Sequence, residues 1–363
     1  MVILHTETLK KWGGQQNRVL TEAIGLRERG HKLIIACNRK SILTQRAKEA
    51  GMKVFEVNMV KQTHLITIPK LVGIIKREKV DIVCTHSSVD SWAGGIAALL
   101  TRRRLVRFKH NLYRVKKDFL TRFIYSLPHR FIAVNSSAAE ILEETGFIRT
   151  EKIKRVYGAV DPEKFNHGNY GNEDKEGLKN SLGIPPNALI IGNTSGFTEV
   201  KGQRYLLEAA NKLFKVRDNI FLLLVGRIGQ KEKVVRQIQT EFRSRVILPG
   251  LRTDIPLLLS IMDIFVFPST VEAFANSLIE AMAMARPVLV SDIASFKEFM
   301  KDGVDGVFFK NADSVSLLNK LTDLIGDNEK CKALGETARK NVLERFPLAK
   351  MLDETEDLYL GLK

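Results

Sequence analysis

Nothing in this chain supports a disulfide framework: its cysteines are Cys37, Cys84 and Cys331, odd in number, far apart and without a CxxC pair. Such a set suits a reducing compartment, and Cys37 and Cys84, embedded in apolar runs, read as small buried hydrophobes. No run approaches the roughly 18 apolar residues of a membrane span. The opening residues Met1 to His5 lack the basic region and long apolar stretch of a signal peptide. A soluble or peripheral protein in the cytoplasm is therefore expected. Low-complexity tracts and internal repeats are missing, as are zinc-finger spacings and aromatic strings of the RNP type. No Asp-x-Asp string occurs either, so no carboxylates at that spacing are available to hold a catalytic Mg²⁺ or Mn²⁺.

Acidic residues are also scarce. Asp and Glu number 41 against 57 Lys and Arg, a net charge of +16. That balance calls for an acidic partner: nucleic acid, an anionic membrane surface or a phosphorylated substrate. The excess is concentrated. Ten basic residues (Arg102, Arg103, Arg104, Arg107, Lys109, Arg114, Lys116, Lys117, Arg122 and Arg130) face the single acid Asp118, and hold more than half the net charge. Phe108, Tyr113, Phe119, Phe123 and Tyr125 are interleaved with them. Two readings stay open, an ordinary solvated face or a patch for anionic lipid, where each basic side chain near the surface is worth about 1 kcal/mol.

What is present is an α/β pattern. A chain of 363 residues, 44% hydrophobic and 27% charged, has the length for two cores. Lys32–Cys37, Val80–Thr85 and Arg130–Val134 read as buried strands. An amphipathic stretch, Arg18 to Arg29, carries Val19, Leu20, Ala23, Ile24 and Leu26 on one face and stops at Gly30. The alternation restarts with Ala188–Gly192, Ile220–Val225, Val246–Leu248, Ile264–Phe267 and Pro287–Val290. Strand, helix, strand of this kind gives parallel sheets with crossover helices. Residues 166–187, rich in Asn, Gly, charge and Pro, separate the two series and are assigned as the linker. Residues 1–165 form one Rossmann-like domain and 188–345 the other. Open sheets of this type bind ligands at the carboxyl ends of their strands.

The most informative string is STVEAFANSLIEAMAMARPVLVSD, residues 269–292. It follows a strand and Pro268 and opens a helix near Asn276. Glu272 falls in the loop and Glu280 in the second helical turn. Phe274, Ala275, Asn276 and Ser277 lie where free backbone N–H groups would favour an anion. Two carboxylates beside such a site could accept hydrogen bonds from sugar hydroxyls. They could equally do no more than favour the helix dipole, and spacing alone leaves both readings open.

This string resembles the E-x7-E signature of retaining glycosyltransferases of family four, in the fuller form S-x-x-E-x-F-x-N-x-x-x-E-A-M-A-x-x-x-P-V. The resemblance implies a GT-B fold, two Rossmann-like doubly wound domains facing a central cleft, with the helix 346–363 returning to the first. It also implies a donor-sugar role for Glu272 and a ribose role for Glu280. Other pieces follow in family order. Gly13 and Gly14 come after the first strand, where a turn without side chains lets amides approach a diphosphate. Lys201, before Gly202, matches the family's diphosphate lysine. Five residues earlier the family has an arginine and this chain has Gly196. Arg204 or Arg227 could stand in. His110, in Lys109-His110-Asn111 at a strand end, takes the place of a histidine near the transferred sugar and is preferred to His86. His5 and His31 have no catalytic context, His31 reading as structural. Val156–Phe165 partly matches the element closing the family's first domain.

The function implied is retaining transfer of a sugar from a nucleotide-diphosphate sugar to a glycan or glycolipid, in lipopolysaccharide or other cell-envelope synthesis. No metal and no cofactor are expected. His110, Glu272 and Lys201 are the catalytic candidates. Gly13, Gly14, Lys201, Arg204, Phe274, Ala275, Asn276, Ser277 and Glu280 form the donor set. Arg102, Arg103, Arg104, Arg107, Arg114, Lys116 and Lys117 form the acceptor or membrane patch on the inner face of the cell membrane. Two alternatives are a GT-B nucleotide-sugar epimerase and a basic nucleic-acid-binding protein. No reader motif supports the second.

Overall fold

The structure, a computed structural model, describes residues 1–227 and 236–362. The chain forms two compact units. Unit 1 is Met1–Gly158 with the chain from Ala349 on, and unit 2 is Ala159–Leu348.

Unit 1 holds seven parallel strands: Val2–Glu7 (β1), Lys32–Cys37 (β2), Lys53–Glu56 (β3), Ile82–Thr85 (β4), Arg104–Lys109 (β5), Arg130–Ala133 (β6) and Ile153–Arg155 (β7). Their order is β3-β2-β1-β4-β5-β6-β7. Unit 2 holds six among the described residues: Leu189–Thr194 (β8), Ile220–Val225 (β9), Val246–Gly250 (β10), Ile264–Phe267 (β11), Val288–Ser291 (β12) and Val307–Phe309 (β13), in the order β10-β9-β8-β11-β12-β13. Each sheet is doubly wound and reverses direction once, at β1/β4 and at β8/β11. Helices cover both faces of a parallel sheet, so its strands are apolar at successive positions instead of alternating. β9, Ile-Phe-Leu-Leu-Leu-Val, is buried at every position. β7 (Ile-Lys-Arg) and β13 are three residues long, and β3 (Lys-Val-Phe-Glu) has charged ends, so none of the three stands out in the sequence as an apolar run.

The division between the units lies before the 166–187 segment. Val160 N–H donates to the Phe346 carbonyl (3.0 Å) and Leu348 N–H to the Val160 carbonyl (2.9 Å), which ties the chain after Gly158 into unit 2. The Arg339 guanidinium adds bonds to the Phe165 carbonyl (3.1 Å) and Asn166 Oδ1 (3.3 Å). Nor is 166–187 a plain linker, since Asn172–Ser181 is a helix. It is started by the Asp174 carboxylate, which accepts from Gly171 N–H (2.9 Å). Leu178 is its buried residue, so its polar composition belongs to a solvated helix.

The helix Leu348–Leu360 packs against the helix Gly14–Glu28 of unit 1. Gly25 makes room for Leu352, whose side chain a Cβ would overlap. Arg29 and His31 reach Glu356 at 2.8 and 2.7 Å, and Tyr359, fully buried, donates to Glu22 Oε1 at 2.7 Å. His31 is therefore structural. Gly30 takes φ +88°, the left-handed stop that ends the helix before it. Cys37 and Cys84 are buried. Among the described residues no helix is long and apolar enough to cross a membrane.

Candidate active site

In unit 2 the loops after β8 and β11 converge where the sheet reverses, the place where doubly wound sheets bind ligands. The loop after β8 is held by hydrogen bonds. Asn193 Nδ2 donates to the Val266 carbonyl (2.8 Å), Ser195 Oγ to Asn193 Oδ1 (2.7 Å) and Gln203 Nε2 to Ser195 Oγ (2.7 Å). Gly202, at φ +64°, presses against the end of β11, and a Cβ there would overlap the Pro268 carbonyl oxygen. Thr270 N–H donates to the Val200 carbonyl at 2.8 Å. These two contacts place the Lys201 ammonium on the Glu272 carboxylate, with which it forms an ion pair, 5.3 Å from the centre of the Phe267 ring. The Lys201-Gly202 pair of the sequence is thus a geometric unit, with the glycine allowing the approach that aims the lysine.

The helix Asn276–Ala283 begins just beyond. Its cap is Ala275, which offers no side-chain acceptor to the first-turn N–H groups. Asn276 and Ser277 are half-buried at its start. The Phe274 ring packs edge-on against Phe299 (5.0 Å) and Phe346 (6.0 Å), anchoring the loop in unit 2. Glu280 follows one turn later. Its carboxyl has no hydrogen-bond partner among the described residues. Burial pushes it up to about 7, with Lys164 pulling the other way. Thr194 Oγ1 and Ser269 Oγ, at the ends of β8 and β11, are buried without partners among the described residues. Polar groups left without partners at the ends of these strands are free to bind a polar ligand.

Arg204 of the donor set, and Arg227, the other stand-in for the missing arginine, fall elsewhere. Arg204 lies on the exposed face of its helix, stacked on Tyr205 (4.6 Å) and bonded to the Tyr205 hydroxyl, because Gly202 turns the helix so that Tyr205, not Arg204, faces inward. Arg227 is exposed, and its carbonyl receives the Phe197 N–H (3.1 Å). Gly196 is exposed with open space at its Cβ.

In unit 1, Gly13 caps the helix Gly14–Glu28 in an extended conformation open to any residue, so what it contributes is the absence of a side chain over the first turn. The carboxylate of Glu7, at the end of β1, accepts from Thr8 N–H (2.8 Å), Leu9 N–H (2.9 Å) and Gln15 Nε2 (2.6 Å). Burial and the neighbouring Asp90 push its carboxyl up to about 7. Asp90 accepts from Thr6 Oγ1 (2.9 Å) and His86 N–H (2.7 Å). His110 follows β5, its ring stacked on Phe108 (5.5 Å) and its Nε2 2.9 Å from His86 Nδ1. His86 in turn meets His5 on β1, whose Nδ1 lies 3.0 Å from His86 Nε2. The sequence alone gives His5, Glu7 and Asp90 no part in a site. Only the strand order β1-β4-β5 shows that residues 5, 86 and 110 are neighbours.

The basic stretch is not one surface. Arg102, Arg103 and Arg104 lie at the amino end of β5, while Arg114, Lys116 and Lys117 follow its carboxyl end. A rise of about 3.3 Å per residue separates the two groups by roughly 17 Å. Arg107 leaves the patch altogether. It is buried within β5, with its guanidinium 3.7 Å above the Tyr125 ring, because alternate strand positions point into the layer of helices. Phe108 is buried as well. The helix Phe119–Ser126, by contrast, exposes Phe119 (83%), Leu120 (60%) and Phe123 (41%) beside Arg122.

Residues 12–164 match the family described as Glycosyltransferase Family 4, and residues 174–341 the family described as Glycosyl transferases group 1. A UDP-Gal:alpha-D-GlcNAc-diphosphoundecaprenol alpha-1,3-galactosyltransferase from Escherichia coli is 25% identical, covering 99% of this chain and 97% of its own. An N,N'-diacetylbacillosaminyl-diphospho-undecaprenol alpha-1,3-N-acetylgalactosaminyltransferase from Campylobacter jejuni is 25% identical, covering 83% of this chain and 84% of its own. The crystal structure of a glycosyltransferase from Rickettsia africae has a TM-score of 0.89 at 25% identity, covering 99% of this chain and 98% of that one. The Anabaena protein HepE in complex with UDP-glucose shares the fold, with a TM-score of 0.86 at 21% identity, 99% of this chain and 100% of that one being covered. Two family matches in chain order, one on each α/β unit, together with these full-length likenesses show that the chain belongs to the glycosyltransferases of GT-B fold, with a family-four amino half and a group 1 carboxyl half.

Proposed function

We propose that the protein transfers a sugar, with retention, from a UDP-sugar to a glycan carried on a lipid diphosphate, in the building of a cell-envelope glycan. The observation that carries the donor half of this reading is Glu280, a carboxyl pushed up to about 7 with no protein hydrogen-bond partner among the described residues, on the helix that follows the Lys201–Glu272 pair. Ribose hydroxyls are donors of the kind such a carboxylate lacks. The pair then serves the diphosphate and the sugar, Lys201 meeting phosphate and Glu272 the sugar hydroxyls. Phosphate oxygens compete for the Lys201 ammonium, so donor binding frees Glu272. The uncapped start of the helix Asn276–Ala283 adds N–H groups and the positive end of its dipole. Gly13, Gly14 and His110 keep the roles that the family resemblance gives them.

In this reading the bond from the sugar's anomeric carbon to the phosphate oxygen breaks as the bond to the acceptor oxygen forms on the same face. The acceptor's hydroxyl proton passes to the leaving phosphate. Preorganised charge at Lys201 and the helix start stabilises that phosphate. No resident metal takes part, a point that undiminished turnover in a chelator would support. The lipid-diphosphate acceptor follows from the acceptors named for the Escherichia coli and Campylobacter jejuni relatives. Those relatives are transferases, which disfavours the epimerase. The positive charge is assigned to donor and lipid phosphates instead of nucleic acid.

The same reading places the protein on the inner face of the cell membrane. The exposed Phe119, Leu120 and Phe123, flanked by Arg114, Lys116, Lys117 and Arg122, form a short amphipathic surface suited to an anionic interface. Liposome sedimentation tests this: preferential binding to anionic vesicles at low salt is expected, and equal partitioning to neutral ones would sink it. For the donor, thermal-shift screening against UDP-, GDP- and ADP-sugars should show stabilisation by a UDP-sugar, since a ligand of the native state raises stability by mass action. Stabilisation by none of the three classes would refute the donor site.

A further inference from the structure

Three imidazoles stand in file in unit 1. The contacts His5 Nδ1 to His86 Nε2 (3.0 Å) and His86 Nδ1 to His110 Nε2 (2.9 Å) link them edge to edge, with successive ring centroids 5.2 Å apart and planes 19° and 30° from parallel. His5 and His86 are buried, while His110 keeps part of its surface open. The inner end of the file meets Glu22. His5 Nε2, which has no hydrogen-bond partner among the described residues, lies 3.8 Å from Glu22 Oε1. The Glu22 carboxylate is itself fully buried and accepts from Arg18 Nε (3.0 Å) and the Tyr359 hydroxyl (2.7 Å). At the outer end, His110 Nδ1 has no partner among the described residues.

Burial holds all three rings neutral, and the Arg18 guanidinium reinforces this. A neutral imidazole carries one ring proton, so one nitrogen donates and the other accepts. Each of the two contacts needs one proton, which leaves only two arrangements. If His86 carries its proton on Nε2, it donates to a bare His5 Nδ1, His5 then carries Nε2–H, and His110 must donate from Nε2. If His86 carries it on Nδ1, every proton moves to the other nitrogen, and a bare His5 Nε2 lone pair faces the Glu22 carboxylate. In the first arrangement the His5 N–H points towards that carboxylate, and in the second two electron-rich atoms oppose each other in a region of low dielectric.

We infer that Glu22 and His5 are positioning residues that fix the tautomer of His110, so that it presents a bare Nδ1, a hydrogen-bond acceptor, to the ligand. The group that Nδ1 receives must therefore be a donor, such as a sugar hydroxyl, and not a phosphate oxygen or a carbonyl. A substrate with no hydroxyl hydrogen at that position would lose the contact. The assignment of a sugar hydroxyl to His110 rests on the function proposed above. The tautomer itself does not.

The test is ¹⁵N NMR of the histidine rings in the full chain, where two-bond proton correlations distinguish protonated from bare ring nitrogens. His5, His86 and His110 should all appear neutral, with the proton on Nε2. An Nδ1–H form or an imidazolium at His110 would overturn the inference. In Glu22→Gln the carboxylate is replaced by an amide of the same shape, and His110 should become a mixture of both tautomers with a lowered kcat/KM. His5→Phe keeps a ring in the buried position and should have the same effect, which covers the case where Glu22→Gln fails to fold. A His110 that stays wholly Nε2–H in the folded variants shows that Glu22 and His5 do not set it. If the wild-type tautomers are as stated but His110→Ala transfers normally, the sugar-facing role of His110 fails while the tautomer assignment stands.

Discussion

Glu280 makes the binding of the donor depend on pH in a calculable way. Its carboxyl stands at about 7 in the ligand-free protein, against an ordinary value of 4.5. A raised carboxyl contributes stability that is complete below the ordinary value and lost as pH rises through 7, on the order of 3 kcal/mol over the whole range. Ribose hydroxyls that donate to the carboxylate reverse the balance by favouring its charged form. Binding then expels a proton below pH 7, and affinity falls as pH is lowered. If binding returns the carboxyl to its ordinary range, a UDP-sugar should bind about tenfold more weakly at pH 6 than at pH 8. Isothermal titration calorimetry in two buffers of different ionisation enthalpy measures both the affinity and the proton release. A UDP-sugar is the suitable ligand because its esterified diphosphate does not titrate in this range. Glu280→Gln, whose amide can still accept a hydrogen bond but cannot titrate, should flatten the profile. A flat wild-type profile, or an unchanged slope in Glu280→Gln, would refute the ribose assignment.

Lys201→Ala removes the cation paired with Glu272, and loss of one preorganised charge of this kind costs roughly 3 kcal/mol, so steady-state assays should show kcat down by about 10²- to 10³-fold. Gly202→Ala forces a Cβ into the Pro268 carbonyl at a positive φ. It should lower Tm by several degrees in calorimetry and displace Lys201, with kcat/KM falling in parallel. Replacing Lys116 and Lys117 by Ala should weaken partitioning onto anionic vesicles by about 2 kcal/mol, roughly thirty-fold. Arg107→Ala, buried under Tyr125, should lower Tm and leave vesicle binding unchanged.

The donor end was legible because its residues are close in sequence. Glu272, Asn276 and Glu280 fall within nine residues, and the strand, loop and helix around them declare themselves through apolar runs and Pro268. The sequence reading puts the helix start near Asn276, where the structure has it. Lys201 came from a motif, and the structure adds its reason, the close packing of Gly202 on β11. The acceptor half was much less legible. His5 reads as an ordinary strand residue until β1 is set beside β4 and β4 beside β5, and that order depends on contacts some 80 residues apart. Glu22 and Tyr359 are 337 positions apart in the chain, yet they share a hydrogen bond. Charge counting failed differently. It gathered Arg102 to Lys117 into one patch although a strand runs through the middle, burying Arg107 and dividing the rest between its two ends. Polar composition marks solvation, and a solvated helix such as Asn172–Ser181 has the same composition as a linker, so composition does not show that the compact units divide ahead of it.

The central claim is retaining transfer from a UDP-sugar to a lipid-diphosphate-linked glycan, and product analysis with purified protein tests it most directly. The protein would be incubated with a UDP-sugar with and without a polyprenyl-diphosphate sugar, following UDP release and the product's anomeric configuration by NMR. UDP release that requires the acceptor, with the donor's configuration kept in the product and lost altogether in Glu272→Ala, is the predicted result. UDP release at the same rate without acceptor, or a product of inverted configuration, would contradict it.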